Sequence, residues 1–449
     1  MLFLYQTGIR IYYLLILLAS PFSGQARRWI RGRRENRDRL EGFAGNPDKK
    51  TLWMHVSSLG EFEQGRPLIE KWKKNNPGDR ILLSFFSPSG FNIRKDYPLA
   101  DRVFYLPLDT RKNMNRLIRQ IKPDLFILVK YDFWPNLLNC LYQNKIPVYL
   151  VSARFRESQY LFRWWGRTFL KQVRRFNHVF VQDESSGKLL NRYGITQVTV
   201  AGDTRVDAVM KAKEERRKAK EEDNPQPATR NLQPILIAGS TWPPEEKMLA
   251  EVWFSAELKD ILADWRLIIA PHDISENHLK EIEVRYGRGM VRDAIGVVRN
   301  SGGVVRDGDG MVRYGGGVVR YSEVKDIEGG WGRILLVDSI GQLAGLYRYG
   351  SLAMIGGGFG KGIHNILEPS AFGLPVVFGP EWRKFREADD LIRIGSAFPF
   401  HTVEELAELI KKFALDADFR AASGKLALNY MESQTGSTDL IISYLMEKN

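Results

Sequence analysis

Short apolar runs recur along most of this chain at intervals that leave room for one helix between each pair. Residues 51–56, 81–86, 103–105, 125–129, 148–151, 178–181 and 198–200 form one series, separated by stretches with helical apolar spacing. Such alternation predicts a parallel sheet with crossover helices, so 41–207 reads as one α/β domain. A second series at 235–238, 265–270, 334–337, 352–355 and 375–378 predicts a second parallel α/β domain over 235–430. Two such domains are expected to face a cleft lined by the carboxyl ends of their strands. The stretch 208–234 mixes Lys, Arg and Glu and then runs Asn224-Pro225-Gln226-Pro227, as a charged helix end and linker would. Helical spacing over 403–446 predicts terminal helices, of which 431–449 is free to pack on either domain.

Two segments break the alternation. Residues 2–5 and 11–19 are apolar but interrupted by Gln6, Gly8 and Arg10, and seven arginines from Arg27 to Arg39 follow, around Trp29. A spanning helix needs about 20 apolar residues, which this run barely supplies. A cleavable signal carries its charge before the apolar core, and here the charge comes after it. Residues 1–40 are therefore expected to hold the chain to a membrane, spanning or interfacial, with the rest on the cytoplasmic side. Arginines beside an apolar anchor suit anionic lipid better than nucleic acid, so no nucleic-acid partner is expected. The second segment, 289–320, repeats Gly-Val-Val-Arg or Gly-Met-Val-Arg every seven residues. A glycine in each heptad opposes a helix, and the repeat reads as an expansion inside a surface loop, flexible or weakly β.

Composition narrows the class. At 449 residues, 27% charged and 44% hydrophobic, the chain is folded rather than disordered. The single cysteine, Cys140, excludes a disulfide framework. Six scattered histidines offer no zinc spacing, and no metal is expected.

The chemistry concentrates at strand ends. Gly356-Gly357-Gly358-Phe359-Gly360-Lys361-Gly362 joins the run 352–355 to a helix start with Asn365 as cap and Glu368 in the first turn. Glycines let a backbone approach phosphate, and Glu368 is placed to accept hydrogen bonds from a ribose diol. A nucleotide is the expected ligand; a glycine-rich turn with a capping carboxylate is the simpler alternative. In the first domain a strand ending near Ser57 and a helix beginning about Gly60 put Glu61 at the strand's carboxyl end. There it can take a proton from a substrate hydroxyl, or merely complement the helix dipole. The helix N-terminus favours its ionised form and burial its neutral form, a balance the sequence leaves open.

These blocks resemble the two-domain GT-B glycosyltransferases with paired Rossmann-like domains. They most resemble the 3-deoxy-D-manno-octulosonic acid (Kdo) transferases that act on lipid A precursors. His364, Asn365, Leu367, Glu368 and Pro369 match that family's His-Asn-x-Leu-Glu-Pro run, and Ser58-Leu59-Gly60-Glu61 matches its Ser-x-Gly-Glu motif, whose glutamate is the proposed base. Trp134-Pro135-Asn136 also fits, with Lys130 and Asp132 where the family commonly has glutamates. Gly202-Asp203-Thr204-Arg205-Val206-Asp207 resembles Gly-Asn-x-Lys-x-Asp, and His272 replaces the arginine of an Ala-Pro-Arg segment.

The resemblance implies an inner-membrane enzyme, catalytic domains on the cytoplasmic side, that moves Kdo from CMP-Kdo to a lipid A precursor with inversion and without a cofactor. In that scheme Glu61 is the base, and Lys130, Asp132, Trp134 and Asn136 lie on the acceptor side. Arg205, Ser240, Thr241, His272, Gly357, Gly358, Gly360, Lys361, Asn365 and Glu368 hold the donor. A nucleotide-sugar epimerase, another GT-B transferase, or a tethered binding protein without turnover are the alternatives.

Overall fold

Strands buried on both faces read as continuous apolar runs, and that is how the first sheet is built. The computed structural model describes residues 2–46, 48–130, 132–223, 233–287, 304–306, 312–314, 317–324, 327 and 331–448. They divide into two units, Met1–Ala208 with Gln434–Asn449, and Val209–Ser433.

In the first unit, β1 (Thr51–Val56), β2 (Arg80–Phe85), β3 (Arg102–Tyr105), β4 (Leu125–Val129), β5 (Val148–Ala153), β6 (His178–Val181) and β7 (Val198–Val200) form one parallel sheet in the order β3-β2-β1-β4-β5-β6-β7. Trp53 packs with Phe104 and Phe126 on one face, Met54 and Val56 with Phe62 on the other. The strand order reverses between β1 and β4, the point where open parallel sheets bind ligands. Glu61 follows β1 and the segment from Lys130 to Asn136 follows β4, so both stand at that switch point.

Residues 1–40 form two helices, Leu2–Ala19 and Gly24–Arg39, that belong to this unit. Trp29 and Leu40 are buried, whereas Ile11, Leu14, Leu15, Leu18 and Phe22 form an exposed stripe, Phe22 at 92% exposure. Among the described residues no helix is long and apolar enough to cross a membrane. The chain's far end also returns here. Helix Ser437–Lys448 buries Ile441, Ile442 and Leu445 beside Met54 and Phe180, and Asp207 caps it by accepting from Gly436 N at 2.7 Å and Thr438 N at 2.6 Å. The expected 208–234 linker begins as the continuous helix Thr204–Asp223, and residues 224–232 lie outside the described residues.

The second unit holds β8 (Ile235–Thr241), β9 (Arg266–Pro271), an antiparallel pair β10 (Val304–Arg306) and β11 (Val312–Tyr314), β12 (Val318–Arg320), β13 (Ile334–Leu336), β14 (Leu352–Ile355), β15 (Val376–Phe378) and β16 (Ala397–Pro399). Its parallel sheet runs β12-β13-β9-β8-β14-β15-β16 and reverses between β8 and β14. The loop assignment for 289–320 needs correction at its end. The last repeat copy supplies β12, in register with β13, with Val319 buried and Arg320 held by Glu283 at 2.6 Å and by both oxygens of Glu276 at 2.9 Å. Two earlier copies pair as β10 and β11, and most of the remainder lies outside the described residues.

Candidate active site

Helix Leu59–Asn75 begins where Ser58 caps it through the Glu61 amide, which places Glu61 in the first turn directly after β1. Its carboxylate folds back to accept from Ser57 N at 2.5 Å and is 8% exposed. Burial raises its pKa, the negative charge of Asp132 raises it further, and the Ser57 amide and Lys130 oppose. The carboxyl ends at about 7. The balance left open by the sequence thus falls on the side of burial, and the carboxyl is brought near neutral pH.

Lys130, at the end of β4, has a left-handed backbone with φ of 65°. Strain of this kind in a non-glycine residue concentrates at functional sites. Trp134 is fixed from two sides. Its ring lies 4.6 Å from that of Phe86, and its indole N–H donates to His55 Nε2 at 3.0 Å. Because Trp134 has only a donor to offer, His55 must accept on Nε2 and carry its proton on Nδ1, which faces Ser84 Oγ at 2.8 Å. Burial holds this imidazole down to about 3, so it stays neutral. Asn136 departs from expectation. It is buried and its amide donates to the Asp109 carbonyl at 2.6 Å, which makes it part of the scaffold rather than an acceptor contact.

Arg205 also differs from the expected phosphate ligand, since its Nε and Nη2 are committed to the Asp203 carboxylate. Burial alone would raise the Asp203 pKa, but Arg205 through charge and hydrogen bonds, with Lys130, pulls it below the usual range.

In the second unit Ser240, with φ of 54°, ends β8 beside Thr241. Thr241 is fully buried and its hydroxyl donates to Glu246 at 3.1 Å, a carboxylate that buried His278 and half-buried Arg285 also engage, so it is withdrawn from any ligand. The glycine loop after β14 is shaped from within. Glu245, also buried, accepts from Gly357 N at 2.8 Å and Phe359 N at 3.2 Å through one oxygen. Those two amides, expected to cradle phosphate, already hold an internal carboxylate. Gly357 has φ of 89°, and a Cβ on Gly358 would stand 2.6 Å from the Gly379 backbone, so both positions demand glycine. Gly360 and Lys361 are exposed.

The helix after the loop is only Leu367–Ala371. Asn365 Oδ1 accepts from Leu367 N and its Nδ2 donates to Glu368 Oε1, both at 3.0 Å, which orients that carboxylate. His272 stacks between Trp242 (4.5 Å) and His364 (4.7 Å), and Trp242 N–H closes the group onto His364 Nε2 at 3.1 Å. His272 is therefore a ring in a stacked column. His364 is lowered by burial and by His272. The structure thus brings Glu61, Lys130, Asp132 and Trp134 to one switch point, and Ser240, His272, Asn365 and Glu368 to strand ends of the other sheet. His55, Asp109, Trp242 and the role of Glu245 were missed; the one signal for His55 is a polar residue inside an otherwise apolar strand.

Residues 32–208 match a family model described as 3-deoxy-D-manno-octulosonic-acid transferase (kdotransferase). A 3-deoxy-D-manno-octulosonic acid transferase of Aquifex aeolicus is 24% identical over 80% of this chain and 84% of its own length. Those of Haemophilus influenzae, 23% identical over 91% of both chains, and Rickettsia bellii, 24% identical over 95% and 94%, extend the likeness to almost the whole sequence. The chain is thus similar to Kdo transferases over most of its length. Solved structures agree on the GT-B-type fold of that family. A UDP-GlcNAc 2-epimerase of Neisseria meningitidis bound to UDP-GlcNAc has a TM-score of 0.56 at 14% identity, covering 88% of this chain and all of that one. MurG of Acinetobacter baumannii has 0.53 at 14%, covering 89% and 99%. Glu61 and the Asn365–Glu368 pair are the side chains most firmly oriented by their surroundings.

Proposed function

We propose that this protein moves Kdo from CMP-Kdo to a hydroxyl of a lipid A precursor, inverting the anomeric carbon. The acceptor hydroxyl gives its proton to the Glu61 carboxylate as its oxygen bonds to that carbon, and the bond to the CMP phosphate breaks with CMP leaving. The observation that carries this is a carboxyl held near 7 at the switch point of the first sheet. A tethered binding protein would have no use for so perturbed an acid. On the donor side Glu368, steadied by Asn365, is assigned to the ribose diol, and Ser240 and exposed Lys361 to the phosphate.

Attachment to the inner membrane's cytoplasmic face is supported by the exposed stripe Ile11, Leu14, Leu15, Leu18 and Phe22, followed by exposed Arg27, Arg28, Arg31 and Arg34. Such an element lies in the interface and is drawn to anionic lipid. The acceptor, a phosphorylated amphiphile, resides in the same place. Purified protein incubated with CMP-Kdo and a lipid A precursor should release CMP and yield a heavier lipid. CMP release that does not depend on the lipid, or none at all, refutes the proposal.

A further inference from the structure

Two separate sets of contacts tie the N-terminal helices to the stretch after β4. Helix Pro135–Gln143 starts behind Trp134, which has no side-chain acceptor for the first-turn amides. Asp109 serves instead, its Oδ2 accepting from Asn136 N at 3.0 Å and its Oδ1 from Leu137 N at 2.8 Å. Tyr5, on the first N-terminal helix, donates its hydroxyl to the same Oδ2 at 2.8 Å. The second set is aromatic. Arg33 lies 3.5 Å over the ring of Trp29, donates to the Phe86 carbonyl at 3.0 Å, and stands 4.8 Å from the Phe86 ring that packs on Trp134. Tyr12, at the edge of the exposed apolar stripe, also stacks on Phe86 at 6.5 Å. Thus the start of the helix behind Trp134 and the face of its ring are both set by the N-terminal pair.

We infer that the two N-terminal helices form a wall of the acceptor subsite, with Tyr5 and Arg33 as positioning residues that fix Trp134 through Asp109 and Phe86. The element that meets the bilayer then also shapes the place where an amphiphilic acceptor is received. This rests on the Kdo-transfer proposal above for its substrate but not for its geometry. Tyr5→Phe removes one donor and keeps the ring, and Arg33→Met keeps an apolar stem against Trp29, so both variants should fold.

The full chain is labelled with 5-fluorotryptophan, and the Trp134 fluorine signal is identified by its loss in Trp134→Phe. Both positioning variants should shift that signal. They should also raise KM for the lipid acceptor about threefold to tenfold, the scale of an ordinary hydrogen bond lost at one remove from the substrate, while the KM for CMP-Kdo and kcat hold. An unmoved Trp134 signal, or equal losses with both substrates alongside a lower Tm, overturns the inference. A shifted signal in a protein that transfers no Kdo supports the positioning and refutes the proposed function instead.

Discussion

Glutamine at position 61 separates what the carboxyl does for catalysis from what it does to the fold. Glu61 titrates at about 7 instead of the ordinary 4.5, first because of burial and then because of Asp132, against the Ser57 amide and Lys130. A folded-state value above the unfolded one means that the folded protein binds this proton more tightly. The group's favourable contribution is full below about pH 4.5 and is lost as pH rises through about 7. The gap corresponds to about 3 kcal/mol of ionisation cost that the wild type carries above neutrality.

Glutamine has no charge to ionise, and its amide oxygen can still accept from Ser57 N. Glu61→Gln should therefore resist urea better than the wild type at about pH 8, with the advantage shrinking towards about pH 5. Turnover should fall by about 100-fold or more, and wild-type kcat/KM should rise with pH through about 7, since only the carboxylate accepts the proton. A variant no more stable than the wild type above neutrality, or a pH profile without that inflection, would refute the reasoning.

Glu245→Ala should free the amides of Gly357 and Phe359 and weaken CMP binding about tenfold or more by calorimetry, while Glu245→Gln, which keeps one accepting oxygen, should lose less. Deleting 289–316 with a short closing loop should leave Tm unchanged, whereas extending the deletion through Arg320 removes β12 with its Glu276 and Glu283 partners and should lower Tm by about 3 °C or more. Replacing Arg27, Arg28, Arg31 and Arg34 with glutamine should cost about 1 kcal/mol of binding to anionic vesicles per residue, most at low salt, and spare turnover on detergent-solubilised acceptor. Arg33, packed on Trp29 and Phe86, is left intact in that variant; unchanged vesicle binding would assign attachment to the apolar stripe alone.

Most strands were legible because both faces of each sheet are covered, which leaves runs such as Leu125–Val129 with no polar interruption. Their ends fall within two or three residues of the pattern. What escaped depends on tertiary context. One four-residue repeat makes a separate antiparallel pair in two copies and a sheet strand in another, and only the neighbours β13, Glu276 and Glu283 distinguish the last. β16 is three residues ending in proline, too short to carry a period.

At the site, Glu61 was readable from its local motif, but its protonation depends on Asp132, far along the chain. Residue type marked Thr241 and Asn136 as donors without showing that Glu246 and Asp109 had already taken them. His55 and Trp134 are 79 positions apart, and no local signal links them.

The return of the last helix to the first unit matters for how the chain is made. By Val200 a ribosome has delivered every strand of that sheet, and helix Leu59–Asn75 already covers Met54, yet the aromatic cover over Tyr149 and Phe180 comes with Ser437–Lys448. At about 5–20 residues per second, the intervening residues take about ten to fifty seconds to synthesise. Throughout that interval part of an apolar sheet face stays open to chaperones, proteases and other nascent chains. Losing Ser437–Lys448 would therefore leave the first-made unit permanently part-unsealed, while the second unit, complete by Ser433, would be spared.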